Sequence, residues 1–183
     1  MKKIIFGFAG QMASGKGTAT AYFNTRHGAS TYRFSTMLRD LLDRLYLPQS
    51  RENMQDISRI IREQFGEETL ARVMAKDVTN DPGNLIVIDG IRRSDDVAHL
   101  VALPEFVLVH IVADIKTRYE RITHRGENSD DQQKTFDAFK HDHEQEAELK
   151  IANVARSARE TVDNNGTFEE LYAQLDLLLE KYS

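Results

Sequence analysis

The chain has 183 residues, 40% hydrophobic and 29% charged, with a net charge of −5 and no cysteine. These values fit one soluble domain with a single core and exclude a disulfide-stapled fold, a thiolate zinc site and a thiol nucleophile. The acidic balance argues against stable nucleic-acid binding, and no apolar run has the length of a membrane span or signal peptide, so a cytoplasmic protein is expected.

In chain order, "KKIIFGF" reads as a buried strand ending in a glycine turn. A helix is predicted from Lys16 to about Arg26, closed by Gly28. Thr31 to Ser35 is short and β-prone. Met37, Leu38, Leu41, Leu42 and Leu45 recur at helical spacing, and Pro48 stops that helix. Met54, Ile57, Ile60, Ile61 and Phe65 mark another, closed by Gly66. Leu70, Val73, Met74 and Val78 mark a third, closed by "NDPGN". "LIVIDG" and "FVLVHIVAD" are apolar runs ending in carboxylates, the pattern of strands buried on both faces. Between them "SDDVAHLVAL" is predicted as a crossover helix with Ser94 at its N-cap. "IKTRYERITHR" is helical, "GENSDDQQ" a polar loop and "KTFDAFKHDHEQEAELK" one charged helix. A last strand in "RETVDNNG" precedes an amphipathic helix starting at Thr167. Strands alternating with helices predict an α/β, three-layer fold: a five-stranded parallel sheet covered on both faces. We expect a single domain over residues 1–183, with 36–80 as a helical insertion over the sheet.

Gly10, Gln11, Met12, Ala13, Ser14, Gly15, Lys16, Gly17 and Thr18 fit the pattern G-x-x-x-x-G-K. Its glycines let the backbone wrap so that successive N–H groups face phosphate oxygens. The helix that follows adds its positive end, and Lys16 brings a point charge to the β- and γ-phosphates. A glycine-rich turn that merely holds a lysine is the plainer reading. The strand before and the helix after favour a nucleoside triphosphate, contacted by residues from Gly10 to Ala19.

"GKGT", with Gly17 where Ser or Thr usually follows the lysine, resembles the nucleoside monophosphate kinases of the P-loop kinase superfamily, adenylate kinase among them. The resemblance implies ATP as phosphoryl donor, with Mg2+ held largely through water and phosphate oxygens, so that Thr18 meets phosphate. "FSTMLRDLL" is similar to the family's S-T-G-D-M-L-R segment with two residues missing, which implies Arg39 as an acceptor-phosphate ligand. "VIDGIRR" resembles its D-G-F-P-R strand end. That implies Asp89 as the magnesium-water carboxylate, with Thr18 the other metal-side candidate, and Arg93 as a second acceptor-phosphate ligand. "ADIKTRYERITHRGE" resembles the fourth strand and the start of a short lid, residues 121–150 being the lid and the helix after it. There Arg121 would face adenine and Arg125 the transferring phosphates. The family's further arginines after the lid have no clear counterpart, unless Lys134 or Lys140 serves. Lys16, Arg93 and Arg125 are thus the implied catalytic set, small-molecule nucleotides the partners, and a monomer or homodimer the assembly.

A second resemblance competes. "VDNNGTFEEL" is similar to the end of dephospho-CoA kinases, and the run from "VIDGIRR" onward most closely resembles uncharacterised proteins described as adenylate-kinase-related or dephospho-CoA-kinase-like. A hydroxyl acceptor calls for a carboxylate to take its proton. Dephospho-CoA kinases carry an Asp just after the second strand, where this chain reads "YRFST". A phosphate acceptor needs cations and no base, so a monophosphate kinase is preferred and dephospho-CoA kinase is the alternative. The reading from another class is a nucleotide-binding switch or accessory ATPase, though no N-K-x-D segment for guanine is visible. Plainer roles stand beside these. Arg39 reads equally as a solvated helix charge, and Arg92 and Arg93 as partners of Asp95 and Asp96. Arg118, Arg121 and Arg125 read as helix ion pairs, and His141 and His143, two apart, as solvated residues. Arg51, Asn53, Arg59 and Arg62 are selectivity candidates in the insertion.

Overall fold

The computed structural model describes residues 2–125, 135–143 and 146–183. Five parallel strands, β1 (Ile4–Ala9), β2 (Ser30–Arg33), β3 (Leu85–Ile91), β4 (Phe106–Val112) and β5 (Glu160–Asp163), form one sheet in the order β2-β3-β1-β4-β5. The chain reverses its direction of travel across the sheet at β1. In open α/β sheets the crevice beyond the strand ends at such a point is where ligands bind.

The alternation of side chains along β1 divides the core in two. Ile4, Phe6 and Phe8 face one side, where α1 (Lys16–His27) contributes Ala19 and Phe23 and α9 (Phe168–Tyr182) contributes Leu171, Leu175 and Leu178. Ile5 and Ala9 face the other, against α2 (Phe34–Arg44), α4 (Thr69–Asn80) and α8 (Glu146–Ala155). Each covering helix buries residues three or four apart, such as Phe34, Leu38 and Leu42 of α2. The α9 helix starts with a capping box between Thr167 and Glu170, at the helix start expected at Thr167. Among the described residues, no helix is long and apolar enough to cross a membrane.

Between β2 and β3 lie α2, α3 (Arg51–Phe65) and α4, where the insertion was predicted, except that α2 opens at Phe34 and shortens the expected strand. The crossover after β3 is a real departure. Only α5 (Ser94–Val97) is helical, Arg93 and not Ser94 holds the N-cap, and i→i+3 turns such as Leu100 N–H to Val97 O carry the chain on. The cause is Asp96, whose Oδ2 accepts the backbone N–H of both Arg92 and Arg93 at 3.0 Å and 3.0 Å, starting the turn early. Pro104 then disfavours helix at Leu103. The stretch read as one charged helix is helical on both sides of residues 144–145, which lie outside the described residues, as α7 (Phe136–His143) and α8. After β4 comes α6 (Ile115–Arg125), and residues 126–134, within the 121–150 expected as lid and following helix, lie outside the described residues.

Phe23 is fully buried with its ring 5.4 Å from Phe6 and 6.0 Å from Phe8. Phe23→Ala leaves a cavity there and is expected to lower stability by about 3–5 kcal/mol, measured by urea unfolding.

Candidate active site

The turn between β1 and α1 is held from outside. Ser14 N–H donates to Gln11 O at 3.1 Å, and Ala13 and Gly15 adopt left-handed φ values of 60° and 101°. At Gly15 a side chain is excluded twice, by that φ and by the Asn164 amide, which a Cβ would overlap. At Gly10 a Cβ would come within 2.5 Å of Ile111 O. Asn164, past the end of β5, donates from Nδ2 to Ser14 O at 2.8 Å. Arg118 of α6, 2% exposed, donates to Met12 O at 3.3 Å and to Ala113 O at 3.0 Å, with its guanidinium 5.7 Å from the Phe139 ring centre. A trans peptide points its N–H opposite its C=O. Tying back the carbonyls of Met12 and Ser14 therefore turns the N–H groups of Ala13 and Gly15 to the other side, the concave arrangement that receives phosphate oxygens.

Lys16 opens α1, and its Nζ donates to Gly10 O at 2.6 Å and Gln11 O at 2.9 Å, so the ammonium lies across the loop. Ser14 Oγ is buried and has no hydrogen-bond partner among the described residues. A hydroxyl in that position suits an anionic oxygen brought into the loop. His110 of β4 stands beside Ala9 in the sheet, and burial, then the nearby Lys16 charge, push its pKa below the ordinary 6.5.

On the far side of β3, Asp89 is 6% exposed. Its Oδ1 accepts Gly90 N–H at 2.7 Å, and its Oδ2 accepts Arg33 Nη2 at 2.7 Å from the facing end of β2. Thr18 is half-buried in the first turn of α1. Among the described residues no group of three His, Asp or Glu gathers as a metal cage. One carboxylate and one hydroxyl suit magnesium, which keeps several waters and is completed by substrate phosphates.

The other sequence candidates divide. Arg121 Nη2 lies 3.4 Å from Asn164 Oδ1 at the rim of the loop, and burial pushes its pKa down. Arg125 ends α6, and its side chain lies outside the described residues, as does Lys134, whereas Lys140 is exposed on α7. Arg39 is half-buried on α2. Arg93 places Nη1 3.8 Å from Glu67 Oε2, with its backbone N–H on Asp96. Arg62, a selectivity candidate by sequence, is instead an anchor. Its Nη2 donates to Asp96 Oδ1 at 2.9 Å, both side chains being buried, and its Nη1 to Glu67 O at 2.6 Å. Arg33, Arg118 and Asn164 went unrecognised by sequence. The "DNNG" after the last strand was the one local sign of a backbone-binding amide.

The AAA domain family matches residues 7–150. The chain belongs to that family. It is 27% identical over 179 residues to a UPF0200 protein of Hyperthermus butylicus, covering 98% of this chain and 95% of the relative. With a UPF0200 protein of Staphylothermus marinus it shares 29% over 181 residues, covering 99% and 94%. Among solved structures, a shikimate kinase from Bacteroides thetaiotaomicron matches with a TM-score of 0.65 at 14% identity over 97% of each chain. TT1252 from Thermus thermophilus matches at 0.61 and 15% over 100% of each. At those identities the likeness is one of fold, and the fold is that of the P-loop kinases. This family member has a kinase-like P-loop fold.

The low pKa of His110 yields a direct check. Below 6.5 the unfolded chain binds a proton that folded His110 takes up only at lower pH, so stability falls as pH drops through that window. Lys16→Met removes one of the two causes. The His110 pKa, followed by NMR of its ring protons, is expected to rise in that variant yet stay below 6.5.

Proposed function

We propose that the chain is an ATP-dependent small-molecule kinase that moves the γ-phosphoryl of Mg-ATP to the phosphate of a nucleoside or deoxynucleoside monophosphate. The observation that carries this reading is the loop whose carbonyls Arg118 and Asn164 hold back, leaving amides and Lys16 to meet a triphosphate. Amides from Ala13 to Ala19 and the Thr18 hydroxyl would bind the β- and γ-phosphates. Lys16 would exchange two backbone carbonyls for phosphate oxygens, and Arg121 would lie against adenine. Asp89 and Thr18 would hold magnesium through its waters, the ion supplying charge neutralisation between the phosphates. Positioning and charge stabilisation by Lys16, Arg93 and Arg125 then carry the transfer. Residues 36–80 would cover the acceptor, and 121–150 would close as a lid that excludes water.

The choice of acceptor class rests on Arg33. A hydroxyl acceptor calls for a carboxylate to take its proton, and the resemblance to dephospho-CoA kinases implies one just after the second strand. Here that strand ends in a guanidinium, and the nearest acid across the register, Asp89, is paired with it. A cation there favours an anionic acceptor that needs no base.

The experiment is ATP turnover against AMP, CMP, UMP, their deoxy forms and dephospho-CoA. Turnover with a monophosphate is expected. Turnover with dephospho-CoA alone would establish the hydroxyl reading, and hydrolysis indifferent to every acceptor would favour a switch or accessory ATPase. Lys16→Ala is expected to cost about 10²–10³ in turnover, measured in the same assay, as for loss of one preorganised donor.

A further inference from the structure

The two oxygens of Asp89 have partners of different kinds. The residue is 6% exposed, and a carboxylate so far from water needs donors or a counter-charge. Oδ1 accepts the Gly90 N–H at 2.7 Å, a donor fixed in the backbone. Oδ2 accepts Arg33 Nη2 at 2.7 Å, from a side chain that is 50% exposed. One partner is therefore rigid, while the other can turn out into solvent. The arginine also has a prepared seat. Gly90 adopts φ 83°, and a Cβ built there would stand 3.4 Å from Arg33 Cγ, so the arginine stem crosses the strand end over the glycine.

Strand register decides which face this pair occupies. Arg33 and Asp89 are partners in the β2–β3 ladder, so both side chains leave the same side of the sheet. Val87 shares that side with Asp89, and it packs in the core to which α1 contributes Ala19 and Phe23. The guanidinium thus lies on the face covered by α1, the helix that carries Thr18 in its first turn. Asp89 and Thr18 are the residues suited to magnesium, and of the Asp89 oxygens Oδ2 is the one whose partner can be given up.

We propose that Arg33 is a resident competitor for the divalent cation and sets how tightly Asp89 engages it. The inference rests on the kinase reading above and gives Arg33 a task that reading does not include. Two cations at one carboxylate oxygen repel each other. The arginine is the one to yield, because half of its side chain already faces water and solvent screens what it gives up. Its removal therefore has two effects of opposite sign. The buried carboxylate loses a counter-charge, and the metal loses a rival.

The test uses Mn2+ as a spectroscopic substitute for Mg2+, titrated into the full chain saturated with the β,γ-imido analogue of ATP and followed by water-proton relaxation. Arg33→Gln is expected to tighten Mn2+ binding by about two- to fivefold, the range of a partly exposed ion pair. The same variant, in EDTA and without nucleotide, is expected to unfold at lower urea concentration. Arg33→Lys keeps the charge and should follow the natural protein in both measurements. In an Asp89→Asn background, Arg33→Gln should no longer change Mn2+ binding. A residue that only braces the strand end would lower stability without tightening Mn2+. Unchanged or weaker Mn2+ binding in Arg33→Gln, or tightening that persists in Asp89→Asn, would therefore overturn the proposal, and binding of the analogue would leave the kinase reading standing. If the natural protein binds the analogue neither with Mn2+ nor without it, both fall.

Discussion

The site depends on one constraint: the carbonyls of the β1–α1 turn are fastened from behind. Ala13 sits in the left-handed region at φ 60°, which costs a residue with a side chain about 1–2 kcal/mol. The hydrogen bonds from Asn164 and Arg118 offset this, at about 0.5–1.5 kcal/mol each and more for the charged donor. Neither partner is local. Asn164 reaches the loop because Asn164 N–H bonds Val112 O at 2.8 Å, continuing the β4–β5 pairing past the strand end. Arg118 reaches it because α6 turns back over the end of β4. The loop is thus braced by the sheet beside it, and its amides are oriented by hydrogen bonds within the protein.

A second fastening joins the end of α3 and the turn after it to the chain leaving β3. Arg62 and Asp96 are both buried, and an ion pair removed from water in this way adds little net stability. Losing one partner, though, strands a charge in the interior at a cost of about 3–5 kcal/mol. The consequence is mechanical as much as energetic. The end of α3, the Glu67 turn and the backbone of Arg92 and Arg93 are tied together through these two side chains. Arg33 and Asp89 differ in kind. Arg33 is half-exposed, so water screens the pair, and its importance is the sign of the charge it places at the end of β2.

Taken residue by residue, the fold was largely legible and the site only partly so. The strand runs, the glycine stops, the Thr167 cap and the phosphate loop are local patterns, and they appear where the sequence places them. The α5 crossover was misread because an acid at a helix start reads as ordinary first-turn charge, whereas Asp96 turns its carboxylate inward to two backbone amides. Asp95 and Asp96 are neighbours of identical chemistry, and only the second is buried. Likewise Arg118 and Arg121 read alike as helix-surface charges, yet Arg118 is 2% exposed and braces the loop.

By itself the sequence determined the strand-turn-helix unit, the alternation that makes a parallel sheet, and the lysine at the loop, since each is set by neighbours within a few residues. The tertiary structure alone decided which polar side chains serve those elements. The bonds concerned span 34 residues for Arg62 and Asp96, 106 for Arg118 and Met12, and 150 for Asn164 and Ser14. No local propensity records such partners, because a side chain's burial and its hydrogen bonds are fixed by packing between elements that meet only once the sheet is assembled.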